Sequence, residues 1–309
     1  MDLVKDFLHY LAADRGCSPL TIRSYADALT GFLRYFSQLD EGLTWETVDA
    51  DIVRRWMADR MQAGTQPQTV RRALSALRSF YHYLHMMGYT TLHPMQRVQN
   101  PKVPRRLPAF LKEAEMDRLL DDVPFPDNRR GRRDHLMLLT FYTTGVRVSE
   151  LVALDYNDVS IARGELKVTG KRNKQRVVPF GKELSEAFTR FAAEDSPDGQ
   201  WPSGPVFRNG RGGRLTAAEA RRVVRRYLSL VTSQQKRSPH VLRHTFATVM
   251  LNNGADLEAV KDLLGHESLA TTEVYTHTTF SELKRAYAQA HPRAAHCGND
   301  GEGEKKKMN

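Results

Sequence analysis

Residues 163–180 read RGELKVTGKRNKQRVVPF. Apolar and polar positions alternate on either side of a basic centre, which predicts two short antiparallel strands joined by a cationic turn. It is the clearest β element in the chain. The other ordered segments repeat their apolar residues every three or four positions. One hairpin among helices sets the fold class: mainly α, with a small antiparallel β-sheet.

Working outward, helices are expected after the hairpin over 182–194, 217–231, 239–252, 257–264 and 281–290. Before it come a helix over 112–121, a buried-looking helix HLMLLTFYTTG (135–145) and a third, RVSELVALDYNDV (147–159). The first hundred residues look all-helical. Segments run over 3–14, from Ser18-Pro19 onward, over 49–62 and over 67–87, the last stopping at Gly88 as a helix C-terminus should. Ser18 is a capping serine and Pro19 fits the first helical position. Val70, Leu74, Leu77, Tyr81 and Leu84 form an apolar stripe, and Arg71, Arg72 and Arg78 lie off it as a DNA-gripping or merely solvated face. Residues 92–108 hold four prolines and four basic residues without apolar periodicity, which is the composition of a linker. The expected organisation is a helical domain over 1–91, this basic linker, a second domain over 109–291 and a polar, disordered tail over 292–309.

The formal charge is +10 and the pI near 9.6. Residues 1–100 carry a net +1 and residues 101–309 a net +9, so the basic excess is regional. Such an excess points to a polyanion, most often nucleic acid, with solubility as the alternative. No apolar run approaches the ~18–20 residues of a membrane span, and the acidic N-terminus is unlike a signal peptide. The expected location is the cytoplasm, on the nucleoid. Cys17 and Cys297 are too few for a disulfide framework or a cysteine zinc site.

The stretch SPHVLRHTFAT (238–248) places His240 and His244 four apart. Zinc peptidases hold their metal with that spacing, but they need a glutamate after the first histidine. Here that position is Val241, and Arg243 would set a fixed cation beside a dication. An arginine between histidines suits an anion instead, and phosphate wants planar bidentate donors. Arg147 follows TTG at a predicted helix start, Lys171 lies at the hairpin turn, His266 follows LLG, and Tyr275 lies nine residues later.

Taken together, these segments resemble the tyrosine recombinase (phage integrase) family, most closely its bacterial Xer branch. The resemblance rests on SPLTIRSYADAL, TTGVRVSELVAL, VTGKRNKQRVVPF, SPHVLRHTFAT and LLGHESLATTEVYTH, and covers nearly the whole chain. It implies an N-terminal four-helix SAM-like DNA-binding domain and a mostly helical catalytic domain. The implied catalytic set is Arg147, Lys171, His240, Arg243, His266 and Tyr275, the tyrosine being the nucleophile. The implied reaction is strand exchange through a 3′-phosphotyrosyl ester, without metal, ATP or other cofactor, with chromosome-dimer resolution at a dif-like site as the role. The implied partners are duplex DNA carrying a specific site, a tetramer formed with itself or with a second recombinase, and a DNA translocase as regulator. Integrases of mobile elements and type IB topoisomerases use the same chemistry and stay open, as does a non-catalytic DNA-binding protein. The chain's compact size favours the Xer branch.

The chemistry suits the residues. A tyrosine hydroxyl is a weak nucleophile at neutral pH, so neighbouring cations must favour the phenolate as it forms. Arg147 and Arg243 would clamp the phosphate oxygens, with a surface arginine and an ion-pair partner as the respective alternatives. Lys171 would protonate the departing oxygen, with Lys174 as rival. His240 and His266 would bond the phosphate or assist proton transfer. Tyr142 and Tyr287 are the alternative nucleophiles. Glu150, three residues past Arg147, is a candidate to orient it, and His244 to buttress the site from behind. Arg221, Arg222, Arg225 and Arg226 form a basic strip for DNA or for solvent, and Lys174 is a further DNA contact. The helix over 281–290 is expected to dock into a neighbouring subunit.

Overall fold

Ser18 accepts a hydrogen bond from the Thr21 amide, with Pro19 at the first helical position. Each feature disposes of an amide that no helical carbonyl reaches. From this cap α2 (Pro19–Leu39) runs beside α1 (Leu3–Ala13), α3 (Ala50–Gln62) and α4 (Pro67–Met86). The computed structural model describes residues 2–103, 109–170, 174–196, 198–265 and 280–294. The chain divides into two compact units, Met1–Arg106 and Leu107–Asn309.

In the first unit the predicted stripe on α4 is fully buried. Phe32, Phe36, Trp45, Trp56 and Phe80 interlock edge to face around it, with ring centroids 4.7 to 5.4 Å apart. Arg71 and Arg72 are exposed. Arg78 is half-buried and donates to the Asn100 side chain at 2.8 Å and the Val98 carbonyl at 2.9 Å. Arg54 likewise donates to the Arg97 carbonyl at 3.0 Å. The proline-rich stretch expected as a linker is thus packed in its first part: Pro94–Arg97 form a 3-10 turn, and Met95 and Val98 enter the core. Irregular backbone leaves carbonyls without partners, and these two arginines supply the donors.

The second unit is built on α6 (Arg129–Thr144), which packs against α8 (Lys182–Asp195) and α10 (Pro239–Asn252). Leu136, Met137, Leu138, Leu139, Phe141 and Tyr142 in the second half of α6 are all buried, and a helical segment apolar all round must be enclosed. Before it lie α5 (Glu113–Asp117) and a π-helical turn, Arg118–Asp122. The helix expected over 147–159 ends early: α7 is only Val148–Ala153, and a 3-10 turn follows at Tyr156–Asp158. The residues so released make β1 (Val159–Ser160), which pairs with β2 (Glu165–Thr169) of the hairpin, whose second strand is β3 (Gln175–Pro179). The sheet therefore has three antiparallel strands rather than two. Val159, Leu166 and Val178 lie in one buried row across it, so the third strand covers an edge the hairpin alone would leave open. Helices α9 (Ala217–Val231), α11 (Leu257–Leu264) and α12 (Phe280–Ala290) complete the unit.

In this chain α12 docks on its own unit. Tyr287 and Ala290 pack with Phe246, Met250, Val260, Leu263 and Leu264, and Asn253 donates to the Ala290 carbonyl at 2.8 Å. In this single chain the helix expected to dock into a neighbouring subunit packs on its own unit. Arg293, just beyond, is held by Asp117, Asp121 and Glu183. The tail beyond Ala294 lies outside the described residues.

His291 is 3% exposed, stacks on Tyr287 with ring centroids 5.3 Å apart, and hydrogen-bonds the Tyr142 carbonyl at 3.1 Å. Burial pushes its pKa down to about 4, the bond to Tyr142 opposing and the charge of Arg293 adding to the effect. The unfolded chain takes up this proton near 6.5 and the folded chain near 4, so stability is lost as pH falls through that window. The slope for one proton is ~1.4 kcal/mol per pH unit. Between pH 7 and 4.5, urea unfolding should show the wild type losing about 2 kcal/mol more than His291→Gln. Equal slopes would refute a buried neutral imidazole.

Candidate active site

Helix α11 ends with carbonyls that have no helical partner, and three arginines take them in turn. Leu263 accepts from Arg176 Nε at 3.0 Å, Leu264 from Arg243 Nη2 at 2.5 Å, and Gly265 from Arg147 Nη2 at 2.8 Å. The negative end of a helix dipole favours such cations. Gly265 is left-handed at φ 63°, and a Cβ there would lie 3.1 Å from Arg176 Cδ, so both conformation and space call for glycine.

Among the arginines sits Glu150, its side chain fully buried. Oε1 accepts from Arg147 Nη1 at 2.8 Å and Arg176 Nη1 at 2.7 Å. Oε2 accepts from the Arg147 amide at 2.7 Å and Arg176 Nη2 at 2.9 Å. Burial alone would raise its pKa, but the bonds and charge of Arg176, and then of Arg147, outweigh it and hold the carboxyl at about 2. Arg147 precedes the first residue of α7 and Glu150 occupies its first turn, so one short helix start positions both.

Arg243 is buried on α10 and also donates through Nη1 to the Gly145 carbonyl at 2.7 Å. Gly145 ends α6 in the left-handed region, and a Cβ on it would lie 2.6 Å from the Phe246 ring. Desolvation lowers the Arg243 pKa to about 10, with the charges of Arg147 and Arg176 adding and Glu150 opposing, so it stays cationic at neutral pH. Among the described residues, Arg147 and Arg243 each give two side-chain N–H donors to the protein. A guanidinium has five, so donors remain for an anion.

His240 is exposed at the start of α10. Its pKa is lowered by desolvation and then by the charges of Arg243, His244, Arg221 and Arg147, which leaves a neutral ring at neutral pH, able to donate at one nitrogen and accept at the other. His244 is exposed one turn on, so it is not packed beneath the arginines as a buttress would be. The histidine pair thus brackets a buried arginine, as the anion reading of the stretch requires.

Arg176 was missing from the sequence-derived site. It lies on β3 opposite Val168, two residues from Val178, and Val168 and Val178 are buried. The alternation that predicts the hairpin also puts position 176 on the inward face, and an inward charge needs a buried partner. That inference needed only one more step along the same pattern.

Lys171, His266 and Tyr275 lie outside the described residues. The described residues before the first two abut the cluster: the Gly265 carbonyl accepts from Arg147, and a Cβ on Gly170 would be 3.5 Å from Glu150 Oε1. The hairpin turn is closed by the Gly170 amide donating to the exposed Lys174 at 2.7 Å. Arg221, Arg222, Arg225 and Arg226 are all exposed on α9. Tyr142 and Tyr287 are 1% exposed, which removes both as nucleophiles toward DNA.

Comparison with known proteins joins this geometry to sequence. Residues 109–282 match the phage integrase family, and residues 4–88 match the phage integrase N-terminal SAM-like domain. The chain is 39% identical to tyrosine recombinase XerC of Pelotomaculum thermopropionicum, over 94% of this chain and 98% of the relative. It is 36% identical to tyrosine recombinase XerD of Listeria monocytogenes, over 95% and 99%. The fold is similar to that of XerH recombinase bound to palindromic difH substrate, with a TM-score of 0.66, 23% identity and coverage of 89% and 81%. It is also similar to that of the Tn1549 transposon integrase in complex with circular intermediate DNA, with a TM-score of 0.65, 18% identity and coverage of 92% and 98%.

Breaking a buried ion pair on one side leaves the other charge without a partner, typically at ~3–5 kcal/mol. Arg176→Gln should therefore lower the unfolding free energy by about 3 kcal/mol. The double variant Glu150→Gln/Arg176→Gln should lose at least about 1 kcal/mol less than the sum of the singles. Strict additivity in urea unfolding would show that the two groups are not coupled.

Proposed function

We infer the reaction and role of this protein from one premise: the chain belongs to the phage integrase family. It is a tyrosine recombinase of the Xer type, a site-specific DNA recombinase that cleaves and rejoins DNA. The catalytic set is Arg147, Lys171, His240, Arg243, His266 and Tyr275, and the role is resolution of chromosome dimers at a dif-like site. The observation that carries the chemistry is the convergence of Arg147 and Arg243 on neighbouring carbonyls, with donors left over for one phosphate.

Tyr275 attacks the scissile phosphorus while the two arginines hold its non-bridging oxygens. Negative charge grows on those oxygens in the transition state, where fixed cations stabilise it most. The neutral imidazole of His240 bonds the phosphate or receives the tyrosine proton, a role shared with His266. Lys171 protonates the departing 5′-oxygen. The phosphate is then esterified to Tyr275 through the 3′ end, and the 5′-hydroxyl of a partner strand reverses the step at a new junction. Bond energy stays in the protein–DNA ester, so the reaction needs no external source. Glu150 orients Arg147 from a buried position, which the observed bonds support.

Exposed Arg71, Arg72, Lys174, Arg221, Arg222 and Arg225 serve as DNA contacts. Arg221 is among the cations whose charge lowers the His240 pKa, which supports a role for it near the phosphate. Arg78 holds the Val98–Asn100 segment, and any contact it makes with DNA is shared with that task. Recombination needs two sites and so a tetramer, formed with itself or with a second recombinase. The translocase regulator rests on the family likeness alone.

The wild type should form a covalent complex with nicked, site-containing DNA in EDTA, and Tyr275→Phe should abolish it. Arg243→Gln should slow trapping by ~10²–10³-fold, the scale of losing one oxyanion donor. Trapping by the Phe variant would move the nucleophile elsewhere, and arrest by EDTA would end the metal-free scheme.

A further inference from the structure

Apart from the arginine cluster, the second unit holds a cavity of about 530 Å³ between the start of α6, the 208–215 loop and α9. Arg129, Arg130, Arg133, Arg208, Arg222 and Arg226 line it, with only Asp134 and Glu219 as carboxylates. Both acids are committed. Asp134 pairs with Arg133 at 2.5 Å, and Glu219 accepts from the Thr216 amide at 2.8 Å to cap α9. Arg129 pairs with Asp195. Arg208 donates only to neutral carbonyls, those of Pro205 and Ser203. Among the described residues the side chains of Arg130, Arg222 and Arg226 make no ion pair or hydrogen bond, Arg226 lying over the Tyr227 ring. Four guanidinium groups thus share one concave space without an ion pair, and Glu219, whose charge Arg222 feels, is the one lining carboxylate not paired with an arginine.

Like charges gathered this way repel, and a bound anion removes the penalty. Planar forks opening into a cavity suit phosphate, which takes two parallel N–H bonds from each. The layout of α9 says whose phosphate. Arg222 and Arg226 are one turn apart and line the cavity, whereas the charge of the adjacent Arg221 reaches His240. Arg221 and Arg222 are consecutive on α9, so the helix that carries Arg221 also lines the cavity.

We propose that this cavity binds backbone phosphates of the recombination-site DNA away from the cleaved linkage, as an anchor separate from the chemistry. The proposal rests on the reading of this chain as a DNA recombinase, and goes beyond it by bringing in Arg130 and Arg208. Each phosphate contact contributes about one unit to the slope of log Kd against log salt. Arg130→Gln should make that slope shallower by about 1, and Arg130→Gln/Arg226→Gln by about 2. Arg190→Gln, an exposed arginine on α8, should leave it at the wild-type value. Unchanged slopes in both cavity variants would overturn the proposal. So would wild-type binding of inorganic pyrophosphate that Arg130→Gln abolishes while the DNA slope stays the same, because the cavity would then serve a small anion. Covalent trapping by the wild type keeps the two readings apart: without it the recombinase reading falls, and with it an unchanged slope counts against the cavity alone.

Discussion

Three guanidinium groups on the last carbonyls of α11, with one buried carboxylate among them, are the constraint on which the second unit depends. They come from three separate places: Arg147 at the start of α7, Arg176 on β3 and Arg243 on α10. Held together without compensation, they would repel. Glu150 supplies a full negative charge and the helix end a partial one, so the cluster is stable while remaining net positive. A positive, rigid site with spare donors is what a phosphate in transition needs. Orientation then costs little at the moment of reaction.

The same cluster sets where the segments that carry Lys171 and His266 begin. The chain leaves β2 at Gly170, beside Glu150, and leaves α11 at Gly265, whose carbonyl Arg147 holds. Two glycines in the left-handed region, Gly145 and Gly265, let the backbone come this close. Behind them, α12 covers Phe246, Met250 and Leu264, and Leu264 provides one of the three gripped carbonyls. Packing of the last helix and geometry of the site therefore share a residue.

Much of this was legible in the residues. Ser18-Pro19 and Asp49 cap their helices as their chemistry requires, and Gly88 takes the positive φ expected after α4. The hairpin and the apolar second half of α6 follow from period and composition. Less legible were the early end of α7 and the strand β1, because RVSELVALDYNDV has helical spacing to its end. Only the open edge beside Leu166 gives Val159 a better partner. The proline-rich stretch after α4 looked structureless for a similar reason: its order comes from Arg54 and Arg78, which are distant in sequence.

By itself, then, the sequence determined the helices, the hairpin, the regional positive charge and the residue types of the site, because caps, periodicity and charge are local properties. Tertiary structure alone decided which charges meet. Arg176 became a partner of Glu150, Arg78 a clasp for the segment after α4, and His244 an exposed side chain, since a buried charge is defined by what surrounds it. Surroundings are assembled from parts of the chain that no local pattern connects.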